Sequence, residues 1–128
     1  MPSPTQTIKY ALISIALLAT SAAFAHPKLL SSTPAANSEV PPPGKIELHF
    51  SENLMPQFSA ASLVMTGMPG MADHSPMKVA IKVSGTDDPK AMVITPNQPL
   101  PPGGYLVDWR AVSSDTHPIT GSVPFTVK

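Results

Sequence analysis

The chain has 128 residues, with eight basic and eight acidic side chains, 17 prolines and no cysteine. A formal net charge of zero gives no electrostatic reason to bind nucleic acid or an anionic membrane surface. Without a thiol the chain forms no disulfide, and it lacks the cysteine ligand of a blue-copper electron carrier. Proline breaks helices, so the dense prolines exclude long helices and favour short extended segments.

The first 25 residues have the pattern of a cleaved secretory signal peptide. A lysine precedes the apolar stretch Tyr10 to Ala19, and Ala23-Phe24-Ala25 fits a cleavage site. The apolar stretch is shorter than the roughly 20 residues that span a bilayer. We therefore expect residues 1–25 to be removed, leaving a single domain of residues 26–128 that resides in the periplasm without stable membrane insertion.

Short runs of alternating apolar and polar residues follow in the rest of the chain, as in half-buried β-strands. In one run Ile46, Leu48 and Phe50 share a face, so His49 falls on the opposite, solvated face. Turn-forming residues separate seven runs: 28–32, 45–50, 62–66, 80–83, 92–94, 105–109 and 123–127. This spacing predicts an all-β fold, a seven-stranded β-sandwich, with Trp109 and Met92 in the core. Pro124 indicates that the last strand lies at an edge or carries a bulge.

A methionine-rich segment is the most unusual feature of the composition. A thioether or an imidazole recurs at every third position: Met65, Met68, Met71, His74 and Met77. Glycines and prolines between them exclude a helix, so we expect a loop that curls to bring three or four of these groups to one ion. Thioethers are neutral, soft ligands that favour Cu(I). Core packing or an adaptable protein contact is the alternative, and it fits Met65 best.

A second candidate site depends on His26 becoming the N-terminus. A free α-amine and the ring nitrogen of the same histidine can chelate one ion, and Pro27 has no N–H that could add a third ligand. Asp115 and His117 are two positions apart, so they point the same way in an extended chain. Nitrogen ligands with one carboxylate suit Cu(II). Spacing alone does not bring residues 26 and 117 together, and a surface histidine is the alternative at each position.

Four motifs occur in order along the chain: His26-Pro-Lys-Leu with Ser31-Ser-Thr-Pro, Ile46-Glu-Leu-His-Phe-Ser-Glu-Asn, the segment Met65–Met77, and Val107-Asp-Trp-Arg-Ala-Val-Ser-Ser-Asp-Thr-His-Pro-Ile-Thr-Gly. Together they resemble the CopC/PcoC family of periplasmic copper-resistance proteins, over essentially all of residues 26–128. The resemblance implies a Greek-key, cupredoxin-like (Ig-like) β-sandwich with copper sites at opposite ends.

The resemblance also implies ligands and partners. It implies a Cu(II) site of the amine and ring of His26 with Asp115 and His117, and a Cu(I) site drawn from the methionine segment, with His74 open to either site. It implies a monomeric copper carrier, not an enzyme, that exchanges metal with a CopD-like inner-membrane copper transporter and with a CopA-like multicopper oxidase. Two other functions stay open: a histidine-brace copper oxidase of polysaccharides, which a third ligand at Asp115 disfavours, and a metal-free interaction domain.

Overall fold

The computed structural model describes residues 26–70 and 75–128. The predicted signal peptide, residues 1–25, lies outside the described residues, as do the ligand candidates Met71 and His74. The described residues form nine β-strands and contain no helix, hence none that could cross a membrane. The strands are β1 (Leu29–Thr33), β2 (Glu39–Val40), β3 (Ile46–Phe50), β4 (Ala60–Gly67), β5 (Met77–Val79), β6 (Ile81–Ser84), β7 (Ala91–Pro96), β8 (Gly103–Ala111) and β9 (Ile119–Val127).

The strands form two sheets, which confirms the predicted β-sandwich. One sheet has the order β1-β3-β7-β6 and the other β2-β9-β8-β4-β5. All pairings are antiparallel except that of β2 with β9. Each of the seven predicted runs contributes a strand, and the short strands β2 and β5 are additional. Only the last two residues of β9 pair with β2, so β9 is an edge strand at Pro124, as predicted. The N–H that proline lacks is therefore not missed by any neighbouring strand.

Apolar side chains from the inner faces of both sheets make the core. In β3 and β8 the inward residues alternate with exposed or half-buried ones, as the sequence pattern predicts. Phe50 from one sheet meets Trp109 from the other edge-to-face, with ring centroids 5.1 Å apart. Both Trp109 and Met92 are buried, which confirms their predicted place in the core. His49 lies on the outer face, half-exposed and 3.4 Å from Glu47, as expected of a structural residue.

Two glycines allow strands to approach closely. A Cβ at Gly121 would overlap the indole ring of Trp109, which packs over this position from the neighbouring strand β8. Gly103, with φ at +155°, begins β8, and a Cβ there would overlap the Gly67 carbonyl and lie 2.6 Å from the Met65 methyl carbon. Neither position tolerates a side chain without a shift of its neighbours.

Strand β8 connects the two regions that carry the predicted ligands. At its start Gly104 pairs with Gly67, the last residue of β4 before the methionine-rich loop. At its end Ala111 pairs with Ile119, and the turn that contains Asp115 and His117 joins these two residues. The eight steps of β8 from Gly103 to Ala111 span about 27 Å. The two groups of candidate ligands therefore lie at opposite ends of the sandwich.

Candidate metal centre

Two distant segments of the chain bring His26, Asp115 and His117 together. His26 lies three residues before β1, on one sheet, whereas Asp115 and His117 follow β8 on the other. One potential ligand atom from each of the three residues lies within 4.8 Å of the others. The rings of the two histidines are 5.7 Å apart, centroid to centroid. The fold therefore brings residues 26 and 117 together, which their spacing in the sequence could not predict.

The turn after β8 fixes the orientation of the Asp115 carboxylate. The Thr116 N–H donates to the Ser113 carbonyl at 3.0 Å, and Thr116 itself has a φ of +65°. A β-branched residue rarely adopts this left-handed conformation, which costs on the order of 1–3 kcal/mol. It turns the chain so that the His117 N–H donates to Asp115 Oδ1 at 3.1 Å. Strain in the turn is thereby coupled to the orientation of a candidate ligand.

The two oxygens of Asp115 have different partners. Oδ1 accepts hydrogen bonds from the Ser113 hydroxyl and from the His117 N–H, each at 3.1 Å. Oδ2 lies 2.5 Å from Nδ1 of His26. Burial opposes ionisation of Asp115, but the hydrogen bonds that its oxygens accept outweigh this effect, so the pKa of the carboxyl lies below its ordinary value of 3.8. Asp115 therefore offers an ionised Oδ2 as a single ligand atom.

The ring nitrogen of His26 that faces Asp115 is the one suited to chelation. Nδ1 is the ring nitrogen nearer the backbone, so it can bind an ion together with the α-amine of the same residue once that amine is free. The His26 side chain is 57% exposed and the Asp115 side chain 8% exposed, so the site opens to solvent on the histidine side. Two imidazoles and one carboxylate are borderline to hard ligands, a set typical of Cu(II) in tetragonal geometry.

At the other end of β8 lies the methionine segment, of which the structure describes residues 65–70 and 75–77. Met65 lies in β4 and Met77 begins β5, and the two residues are directly paired across these antiparallel strands. Both line a cavity of about 250 Å³. The chain therefore reverses direction between Gly67 and Met77. That the loop brings three or four of these groups to one ion stays a prediction, because Met71 and His74 lie outside the described residues. Met65 belongs to a regular strand and is buried, which agrees with the alternative that assigned it to core packing.

The methionines of this segment also differ in how exposed they are to solvent. Met65 is 5% exposed and packs in the core, whereas Met68 is 37% and Met77 is 47% exposed. Met68 lines a different cavity, with Pro69 and Gly103. Exposed thioethers are accessible to an ion, whereas Met65 belongs to the hydrophobic core. The described residues thus bring Met65 and Met77 together.

The model of the CopC domain matches residues 29–128. The chain belongs to the CopC family. Copper resistance protein C of Pseudomonas syringae pv. tomato is 67% identical over 117 residues, which cover 91% of this chain and 92% of that protein. The copper transport protein CutJ of Bacillus subtilis is 31% identical over 105 residues, which cover 81% of this chain but 18% of CutJ.

A solved member of the CopC family shows the same fold. The crystal structure of PcoC, a methionine-rich copper resistance protein from Escherichia coli, matches with a TM-score of 0.76 at 63% identity. The match covers 81% of this chain and all of the PcoC chain. Asp115, His117 and the methionine segment fall inside the range that the CopC domain matches, whereas His26 precedes it by three residues.

Sequence reasoning missed the side chain that supports Asp115. Ser113 is 2% exposed, and its hydroxyl donates to the Asp115 carboxylate. The available signal was the polar run Ser113 to His117 directly after an apolar strand, since serine and aspartate often form local side-chain hydrogen bonds in turns. That pattern predicts a turn, but it does not say which oxygen remains free for another ligand.

Proposed function

We propose that this protein binds and carries copper for copper resistance and homeostasis. The observation that carries the proposal is the cluster of His26, Asp115 and His117, whose ligand atoms lie within 4.8 Å of one another although 89 positions separate the first two residues. The names of its relatives, copper resistance protein C and copper transport protein CutJ, support copper as the cargo.

The two ends of the sandwich would sort copper by oxidation state. Nitrogen and carboxylate ligands at the His26 end suit Cu(II), whereas the thioethers of the methionine segment suit Cu(I). Reduction would weaken binding at the first end and favour transfer to the methionine loop of another molecule. X-ray absorption after ascorbate reduction tests this scheme: sulfur ligation should replace nitrogen and oxygen ligation. Cu(I) that stayed bound to imidazole would contradict it.

Removal of residues 1–25 is part of the proposal, because only cleavage frees the His26 amine. The signal pattern supports export to the periplasm, and the full coverage of the PcoC chain by about four-fifths of this one is consistent with a shorter mature protein. One extra residue before His26 should abolish tight Cu(II) binding, as measured by competition titration against a protein that begins at His26. Equal affinities for the two proteins would refute chelation by the N-terminus.

The Cu(I) site is tested by replacing sulfur while keeping apolar volume. Substituting Met68 and Met71 together by leucine should weaken Cu(I) binding and leave Cu(II) binding intact. Met92→Leu is the matched control, since Met92 is 3% exposed and lies in β7, in the sheet that contains neither β4 nor β5. Cu(I) affinity that survived the double substitution would contradict a Cu(I) site at these methionines.

A membrane copper transporter is the partner that we propose, with a multicopper oxidase as a second recipient. The alignment with CutJ supports this choice, because a segment similar to this chain forms part of a longer copper transport protein. Copper-loaded protein should deliver metal to a CopD-like transporter reconstituted in vesicles faster than free copper buffered at the same activity. Equal rates would mean that the protein does not dock on the transporter.

We propose a carrier without turnover. Asp115 lies beside His26 and would occupy a coordination position that oxygen chemistry at a histidine brace needs open. Peroxide-driven oxidation of chitin or cellulose by the copper-loaded protein should therefore be absent. Measurable soluble oxidised sugars would instead support the oxidase function.

A further inference from the structure

The backbone just after His26 is held by a serine from another part of the chain. The Lys28 N–H donates to Oγ of Ser51 at 2.9 Å, and the Ser51 N–H donates to the Lys28 carbonyl at 2.9 Å. Ser51 directly follows Phe50, the last residue of β3, which pairs with Leu29 of β1. The two bonds therefore extend the β1–β3 pairing by one residue towards His26.

Proline at position 27 makes the bond from Lys28 the first amide hydrogen bond possible after the histidine. Pro27 has no N–H, and its side chain is fully buried. The His26 side chain, by contrast, is 57% exposed, so burial does not hold it in place. Apart from the direct contact between His26 and Asp115, the position of His26 therefore depends on the packing of Pro27 and on the bond that Lys28 donates to Ser51.

The loop that contains Ser51 also holds the segment that leads to the other ligands. Within residues 51–59, which we call the 51–59 loop, the Met55 N–H donates to the Val112 carbonyl at 2.7 Å. The Ser59 hydroxyl oxygen accepts a hydrogen bond from the Val112 N–H at 3.1 Å. Val112 lies three residues before Asp115. One loop is thus bonded both to the segment that carries His26 and to the segment that carries Asp115.

We propose that Ser51 is a positioning residue of the Cu(II) site, whose hydroxyl fixes the Lys28 backbone and so holds His26 beside Asp115. A backbone carbonyl would be the ordinary acceptor for Lys28 in a strand, but the chain bends after Ser51, and its side chain takes that role. Ser51 touches no ligand atom and acts only through the backbone. This inference rests on the proposed Cu(II) function, and it adds the element that fixes the distance between the two ligand segments.

The test uses the protein that begins at His26 and its Ser51→Ala, Ser51→Thr and Ser32→Ala variants. Loss of one hydrogen bond that orders a ligand should weaken Cu(II) binding about three- to tenfold in Ser51→Ala. Threonine keeps the hydroxyl and should restore binding. In metal-free Ser51→Ala the Lys28 N–H should exchange faster with solvent. In the copper-loaded variant a second set of Cu(II) signals should appear by electron paramagnetic resonance, from copper that His26 no longer chelates.

Ser32→Ala is the matched control. Ser32 lies in β1, and its hydroxyl also donates to a backbone group, the Pro34 carbonyl at 2.9 Å, but at the end of β1 away from His26. It should leave Cu(II) affinity unchanged. Equal affinity of Ser51→Ala and the parent protein, or an equal loss in both alanine variants, would overturn the positioning role. A parent protein that bound no Cu(II) would instead refute the proposed function itself.

Discussion

The Ser113 hydroxyl donates to Oδ1 of Asp115 at 3.1 Å and so leaves Oδ2 to face His26. Ser113 is 2% exposed, so water does not easily replace the hydroxyl when it is removed. We predict that Ser113→Ala weakens Cu(II) binding by about three- to tenfold, because the carboxylate loses one of the two bonds that orient it. Competition titration with a Cu(II) chelator measures the change.

Ser122→Ala is the control for this prediction. The Ser122 hydroxyl donates to the Asp108 carboxylate at 2.5 Å, which is the same chemical pairing at an exposed place on the sheet. It should leave Cu(II) affinity unchanged. A similar loss in both variants would mean that the Ser113 bond has no special effect on the metal site.

The lowered pKa of Asp115 predicts how the stability of the metal-free protein varies with pH. A carboxyl whose pKa is depressed in the folded state stabilises that state above its ordinary pKa of 3.8, and the contribution is lost as pH falls through the lowered value. Asp115→Asn should therefore be less stable than the parent protein at pH 7, with a difference that shrinks towards pH 2. Urea unfolding at several pH values measures it. A difference independent of pH would contradict an ionic contribution.

Local patterns predicted most of the fold. Alternation placed Ile46, Leu48 and Phe50 on the inner face and His49 outside, because a strand sends successive side chains to opposite faces. The short strands β2 and β5 escaped prediction, because two or three residues carry too little alternation to be recognised. Met65 was ambiguous for a related reason: it belongs both to the period-three methionine series and to the period-two pattern of β4, and the strand pattern decides its burial.

The metal centre was less accessible to sequence reasoning than the strands. His26 and Asp115 are each suitable metal ligands, but 89 positions separate them in the sequence. Only the packing of one sheet on the other makes them neighbours. The family resemblance supplied this pairing in advance. It did not supply Ser51, Ser59 or Ser113, whose contributions depend on which backbone groups the strand ends leave unpaired.

Gly121 should be a sensitive site for stability. A Cβ there would overlap the Trp109 ring, and that ring packs against Phe50 in the middle of the core. Gly121→Ala should lower the free energy of unfolding by about 1–3 kcal/mol, because the ring must move within a close-packed interior. The single tryptophan reports the shift through its fluorescence, alongside thermal unfolding. Gly85→Ala is the control, since its Cβ would meet nothing within 4 Å.

The paired residues Met65 and Met77 should differ in their importance for Cu(I). They face each other across β4 and β5, but Met77 is 47% exposed and Met65 only 5%. The Met65 methyl group packs against Gly103, so its thioether is part of the core rather than of the loop. Met77→Leu should therefore weaken Cu(I) binding severalfold, whereas Met65→Leu should change it by less than about twofold at a stability cost below about 1.5 kcal/mol. Competition with a chromophoric Cu(I) chelator measures both affinities. Each substitution removes one thioether sulfur, and the two differ only in where that sulfur lies. A larger loss in Met65→Leu would therefore show that the Met65 side chain leaves the core to bind the ion.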